Sequence, residues 1–151
     1  MPSFQKHSEH SRHNLKFLNS FFLKHSNDWA VTAMFYCAVH MAEAILDKAH
    51  STHCRSHQDR SGKLANLDLP SFPMNSYKAL ERESRYSRYK SYEIFDIEVH
   101  KIFECHFQRL IQWFNNQVKP DESLDILPCK EADNEWLERR EAKDPECDKC
   151  H

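Results

Sequence analysis

The sequence contains a single glycine, Gly62, among its 151 residues. Glycine supplies the positive φ angles that β-hairpin turns and phosphate-binding loops require. Its scarcity therefore argues against a β-rich fold, a P-loop and a dinucleotide-binding fingerprint. The sequence also lacks an uninterrupted apolar run of about 18 residues, and residues 1–13 are polar and His-rich, unlike a signal peptide. We therefore expect a cytoplasmic protein that does not bind membranes.

Charge divides the chain into two parts. Residues 1–118 have a net charge of +3, because 15 Lys and Arg outnumber 12 Asp and Glu. Residues 119–151 have a net charge of −5, because 11 acidic residues outnumber 6 basic ones. We predict a helical bundle domain over 1–118 and an acidic, cysteine-containing C-terminal tail over 119–151, either solvated or screening a basic surface.

Apolar residues recur at helical spacing in four long segments, at about 8–25, 29–49, 75–89 and 95–117. A short helix is expected at about 56–66, and the third long helix is expected to point Leu80 and several tyrosines inward. These patterns predict an all-α fold. Its architecture would be an up-and-down bundle of four long helices, with a short extra helix and a C-terminal tail.

The second predicted helix is apolar on most sides, so we expect it at the centre of the bundle. One narrow polar line crosses it, with spacings of three and four residues that keep its members on one face. This line is either the exposed strip of the helix or the lining of a polar cleft or dimer seam. Histidine titrates near neutral pH and can transfer protons, so His40 is a candidate catalytic residue. The line consists of Thr32, Tyr36, His40, Glu43 and Asp47.

An arginine- and tyrosine-rich stretch near the end of the third long helix is the best candidate for nucleic-acid binding. Guanidinium groups match phosphate oxygens, and tyrosine rings offer stacking surfaces for bases. The predicted binding residues are Arg82, Arg85, Arg88 and Tyr89. The alternative is a solvated helix face whose arginines pair with Glu81, Glu83 and Glu93.

Two clusters contain residues that bind metals. His50, His53, Cys54 and His57 lie close in sequence, but their spacing fits no closed zinc motif, and we interpret the cluster as accidental. Cys147, Cys150 and His151 match the haem-attachment pattern, which normally requires export from the cytosol. Together with Cys129, the same three residues form a candidate four-ligand zinc set. We predict no other cofactor.

Two stretches together resemble a known family. The first is Asp28–Ala44, DWAVTAMFYCAVHMAEA, and the second is YKAL at 77–80 followed by SRYSRY at 84–89. Ser56, His57 and Arg60 lie between them. The combination resembles small bacterial members of the HEPN superfamily, which are helical domains of prokaryotic toxin and defence systems. The resemblance covers roughly residues 8–117.

The resemblance implies a bundle of four or five helices, often dimeric, with an RNA-related role. Active members are metal-independent ribonucleases with an arginine, four to six residues, and then a histidine. This spacing is absent here, since Arg55 and His57 are the nearest pair. Any cleavage would use His40 or His57 as general acid or base, with Arg60, Arg85 or Arg88 holding the phosphate.

The predicted function is therefore a HEPN-like domain that binds RNA or a nucleotide, with a ribonuclease-like role in a toxin or defence system. Two alternatives remain open at this point. One is a non-catalytic interaction module that forms a homodimer or binds a protein partner. The other is a small zinc-binding protein.

Overall fold

The computed structural model describes residues 3–21, 26–50, 53–89 and 94–124, and these residues form helices without any strand. The predicted all-α fold is confirmed. Helix α1 spans Phe4–Phe21, α2 spans Asn27–His50, α3 spans His57–Ala65 and α4 spans Ser71–Tyr89. The last helical rod consists of α5 at Asp96–Ile102, a π-helical segment at Phe103–Gln108 and α6 at Arg109–Asn115. A 3₁₀ turn follows at Pro120–Glu122.

Contacts along α2 establish that both α1 and α4 run antiparallel to it. The Phe4 backbone N–H donates to Asp47 near the end of α2, at 2.6 Å, and Ser11 Oγ donates to the carbonyl of Cys37, at 3.1 Å. Residue numbers therefore increase along α1 in the direction in which they decrease along α2, so the two helices are antiparallel. Helix α4 has the same relation, because its start lies beside Met41 and Ile45 and its end reaches Tyr36.

The last rod runs parallel to α2. Asn27 Nδ2 donates to the Ile94 carbonyl at 2.8 Å, and Lys48 Nζ donates to the Gln117 carbonyl at 2.7 Å. The long elements therefore alternate in direction along the chain, with α3 inserted between α2 and α4. This is the up-and-down arrangement that the sequence predicted.

Helix α2 forms the centre of the core. It is apolar enough by length and composition to resemble a membrane span, but 83% of that apolar window is buried inside the protein. Packing against the surrounding helices thus accounts for its composition. The largest side chains that pack around it at under 2% exposure are Leu18, Leu80, Phe107, Ile111, Phe114 and Leu124.

Helix α4 begins four residues earlier than predicted. Pro73 lies in its first turn, where a proline is tolerated because the missing N–H has no helical acceptor there. The orientation predicted for its tyrosines is only partly correct. Tyr77 is buried at 2% exposure, whereas Tyr86 and Tyr89 are 39% and 74% exposed. Tyr86 faces away because it lies about 180° around the helix from Tyr77.

The final helix also differs from the continuous one predicted at 95–117. The apolar spacing places Phe95 in the helix and facing the core, but Phe95 precedes the first turn as its N-cap residue and is 60% exposed. The π-helical segment inserts extra residues per turn and rotates the stripe between α5 and α6. Within this segment Phe107 is fully buried, whereas His106 is only half-buried.

The bundle continues past the predicted boundary at residue 118. Leu124 is 1% exposed, and the Asn115 side chain accepts from its N–H at 2.8 Å and donates to its carbonyl at 2.9 Å. Arg12 also donates to the carbonyl of Asp121, at 2.8 Å. The remainder of the predicted tail, 125–151, lies outside the described residues, and so do Cys129, Cys147, Cys150 and His151.

Candidate functional site on the polar face of helix α2

The polar line of α2 is largely covered by neighbouring elements. Glu43 and Thr32 are each 4% exposed, and His40 is half-buried. The interpretation of the line as an exposed strip is therefore wrong over most of its length. Tyr36, at 38% exposure, is the most exposed member of the line. Side chains from α1, α3 and the segment before α3 complete this face.

A buried ion pair lies at the middle of this face. Arg60 Nε and Nη2 each lie 2.7 Å from Glu43 Oε1, and the two side chains are 9% and 5% exposed. Arg60 Nη1 also contacts the Tyr77 hydroxyl at 3.5 Å. Breaking such a pair by removing one partner is costly, because it leaves a buried charge without compensation. Arg60 is therefore fixed in place rather than available to a ligand.

His57 contacts the same guanidinium. Arg60 Nη1 lies 3.0 Å from His57 Nδ1, and an arginine can only donate in such a contact. Nδ1 is therefore the acceptor, and the proton of the neutral ring lies on Nε2. Burial and the positive charge of Arg60 lower the pKa of His57. His57 is thus a neutral hydrogen-bond donor at its outer nitrogen.

A chain of imidazoles occupies the α1 side of the face. His7 Nδ1 lies 3.5 Å from His40 Nδ1, and His7 Nε2 lies 3.4 Å from His53 Nδ1. His53 Nε2 lies 3.8 Å from Asp47 Oδ1, and the His10 ring stacks on His40 with centroids 5.0 Å apart. Burial and the two neighbouring histidines of α1 lower the pKa of His40 to about 4. His40 is therefore neutral at physiological pH.

Aromatic and cationic side chains meet at the exposed end of the face. The Arg88 guanidinium lies over the rings of Tyr36 and Tyr89, at 5.6 Å and 5.3 Å from their centroids. Arg88 also donates to the Tyr36 hydroxyl at 3.2 Å and to the Ser84 carbonyl at 3.0 Å. We call the group formed by Tyr36, His57, Arg85, Arg88 and Tyr89 the cationic rim.

The other arginines of this stretch are partly neutralised. Arg85 Nη2 lies 3.6 Å from Glu81, and its side chain is 70% exposed. Arg82 Nη2 lies 2.7 Å from Glu83. These pairs match the solvated-face alternative for Arg82 and Arg85. Exposed ion pairs of this kind are weak, typically about 0–1 kcal/mol, so Arg85 remains able to exchange its partner for a phosphate.

The structure brings Tyr36, His40, Glu43, His57 and Arg60 together on one face. It places Arg85, Arg88 and Tyr89 beside them, since the charges of Arg85 and Arg88 act on the pKa of His57. Arg82 differs, because its charge acts on the pKa of His106.

Sequence reasoning missed two histidines of α1, His7 and His10. The sequence did contain a signal for this cluster, because a spacing of three residues places both side chains on one helix face. The apolar spacing predicts that the first helix begins at about Ser8, which excludes His7, whereas α1 begins at Phe4. The accidental-cluster interpretation of His53 also changes, because this residue meets His7 of α1.

Comparison with known proteins adds no identification, since no family model, no curated protein and no solved structure matches this chain.

Proposed function

We propose that this protein is a HEPN-like domain that binds single-stranded RNA on the cationic rim, as a component of a toxin or defence system. The observation that supports it is the position of Arg88 over Tyr36 and Tyr89, two exposed rings from different helices. Tyrosine rings stack on bases regardless of sequence, and adjacent arginines contact the phosphates. The rim offers both kinds of contact within a few residues.

Binding is favoured over cleavage by the state of the candidate catalytic groups. His57 has Nδ1 engaged by Arg60 and carries its proton on Nε2, so it donates to a phosphate oxygen rather than accepting a proton from a 2′-hydroxyl. His40 faces the histidines of α1 instead of the rim. Arg60 is held by Glu43. We therefore propose a binding role for the rim and no ribonuclease activity in this conformation.

Fluorescence anisotropy with a labelled single-stranded RNA of about 12 nucleotides tests this proposal, because single-stranded sites span about 4–16 nucleotides. In Arg85→Ala/Arg88→Ala, two phosphate contacts are lost, so the slope of log K against log salt should fall by about 1.4. Tyr89→Ala should weaken binding by about 1–3 kcal/mol, the usual contribution of one stacked base.

A matched control is Arg109→Ala. Arg109 also lies over an aromatic ring, that of Phe72 at 4.6 Å, but it is outside the cationic rim. This variant should retain the wild-type affinity and salt slope. Two results would contradict RNA binding at the rim. One is an equal loss of RNA affinity in the control and in the rim variants, and the other is the absence of salt-sensitive RNA binding by the wild-type protein.

A second candidate function, a homodimeric interaction module, has its own supporting observation. Trp29, Phe95 and Ile97 are 58%, 60% and 63% exposed. The starts of α2 and α5 are adjacent, since Asn27 donates to Asp96 at 2.8 Å. Contiguous exposed apolar groups often mark protein interfaces.

Light scattering coupled to gel filtration tests the module. A dimer that becomes monomeric in Ile97→Asp, with an unchanged circular dichroism spectrum, would support it. The matched control is Tyr86→Asp, which introduces the same charge at another exposed hydrophobic residue, 39% accessible, and should leave the mass unchanged. A wild-type monomer at all concentrations would exclude a homodimer.

A further inference from the structure

Three ligand-bearing side chains converge where α1, α2 and the segment before α3 meet. His7 comes from α1, Glu43 from α2 and His53 from residues 53–56. Their candidate ligand atoms all lie within 4.8 Å of one another. His7 and Glu43 are 8% and 4% exposed, so the group is enclosed rather than a chance assembly on the surface.

The spacing of the two imidazoles fits a shared metal ion. In a tetrahedral zinc site with Zn–N distances of about 2.0–2.1 Å, two ligand nitrogens lie about 3.3–3.4 Å apart. His7 Nε2 and His53 Nδ1 are 3.4 Å apart. The ligand atoms all lie within 4.8 Å of one another, so the third has to approach by about 1.5 Å or less when the side chains close around an ion.

Polar side chains suited to an outer shell lie beside both histidines. His53 turns its other nitrogen, Nε2, toward Asp47 Oδ1 at 3.8 Å, a distance that has to shorten by about 0.6–1 Å to form the carboxylate–histidine hydrogen bond of zinc sites. His7 turns its other nitrogen, Nδ1, toward His40 at 3.5 Å. Such contacts orient the ring and fix the tautomer of a ligating histidine.

Glu43 has one oxygen available for a cation. Its Oε1 is held by Arg60, whereas Oε2 accepts a long bond from the backbone N–H of Cys54, at 3.4 Å, and the Cys54 thiol also hydrogen-bonds to this carboxylate. Two imidazoles and one carboxylate oxygen suit zinc and similar first-row ions better than Mg²⁺ or Ca²⁺, which prefer all-oxygen sites.

We propose that His7, Glu43 and His53 bind one zinc ion, or a similar divalent transition metal, through three protein ligands with a fourth position open to water. The site is distinct from the C-terminal cysteines and does not depend on RNA binding. Without a metal, His7 and His53 share a hydrogen bond. Zinc replaces that bond and requires the His7 proton on Nδ1, facing His40.

Isothermal titration of untagged, chelator-treated full-length protein with zinc chloride tests the site. The Cys147→Ser/Cys150→Ser background removes the other candidate zinc set and should still bind one equivalent. In that background, His53→Gln and His7→Gln should each lower the affinity by at least about 100-fold. Asp47→Asn should lower it by about 10- to 100-fold, the usual effect of losing an outer-shell carboxylate.

Cobalt substitution supplies a second readout, since the proposed site has no thiolate ligand. The cobalt complex of the Cys147→Ser/Cys150→Ser protein should show d–d absorption without a thiolate charge-transfer band. The matched control is His13→Gln, which changes an exposed histidine of α1 and should leave binding unchanged. Arg85→Ala/Arg88→Ala should also retain zinc, which separates this site from RNA binding.

Two outcomes would overturn the proposal. One is that the Cys147→Ser/Cys150→Ser protein binds no zinc. The cluster of histidines would then be held together by hydrogen bonds alone. The other is that His53→Gln binds zinc as tightly as its parent. His53 lies outside the helices, so this variant should fold, which an unchanged circular dichroism spectrum verifies.

Discussion

Replacement of Arg60 by methionine should destabilise the protein strongly. The change preserves much of the side-chain length but leaves the Glu43 carboxylate, only 5% exposed, without the two donors that lie 2.7 Å from Oε1. Loss of one partner of a buried ion pair costs about 3–5 kcal/mol. At about 2–4 °C per kcal/mol for a chain of this size, the melting temperature should fall by about 6–20 °C.

Urea denaturation of the full-length protein, followed by circular dichroism in the presence of EDTA, measures the free energy of unfolding without a contribution from metal. The double variant Glu43→Gln/Arg60→Met removes both charges. It should be more stable than the sum of the single losses predicts, by a coupling energy of about 0.5–3 kcal/mol. This excess is expected because the single variants each leave one buried charge unpaired.

The matched control is Arg82→Met. Arg82 contacts Glu83 at the same 2.7 Å, but its side chain is 63% exposed, so the loss should stay at or below about 1 kcal/mol. Burial, and not the short distance, is what separates the two pairs. If Arg60→Met were no more destabilising than Arg82→Met, the buried pair would not stabilise this fold, and the reasoning from its geometry would be wrong.

Three further predictions follow from burial and charge. Leu80→Ala should cost about 2–5 kcal/mol in urea denaturation, whereas Phe95→Ala should cost under about 1 kcal/mol, since these residues are 0% and 60% exposed. Burial raises the pKa of Cys37 to about 12, so iodoacetamide should alkylate it only in urea, by peptide mass mapping. Burial and nearby arginines lower the pKa of His106, so the folded state binds its proton less readily than the unfolded state. The contribution of neutral His106 to stability is complete above about pH 6.5 and is lost as the pH falls toward the pKa that His106 has in the folded state. His106→Gln should therefore lose less stability than the wild-type protein between about pH 7 and 5, as measured by urea denaturation.

The helices could be predicted from the sequence because their apolar spacing depends on the local chain alone. The same spacing could not locate the start of α4, where Pro73 is compatible with the first helical turn but not with the interior. It also could not reveal the π-helical segment at Phe103–Gln108. That segment packs against α4, and a local pattern contains no information about this contact.

The candidate site could be predicted only in part, for a physical reason. Spacing along α2 placed Tyr36, His40 and Glu43 on one face, since that relation is fixed within one helix. The partners of this face come from elsewhere in the chain, and His7 is 36 residues before Glu43 in the sequence. Tertiary packing alone determines which histidine meets which carboxylate. A composition of 11 histidines provides many candidates and does not select among them.

Glu43 belongs both to the ion pair and to the proposed metal site. Arg60 and a bound metal ion should therefore compete for the negative charge of its carboxylate. In the wild-type protein the charge of Arg60 already compensates Glu43 through Oε1, which weakens the attraction of the carboxylate for a second cation. Removal of Arg60 leaves the full negative charge to Oε2. Zinc should therefore bind Arg60→Met more tightly than the wild-type protein and raise its melting temperature by more, because binding to the folded state stabilises it by mass action. An equal zinc-dependent shift in both proteins would mean that the two sites do not share this carboxylate.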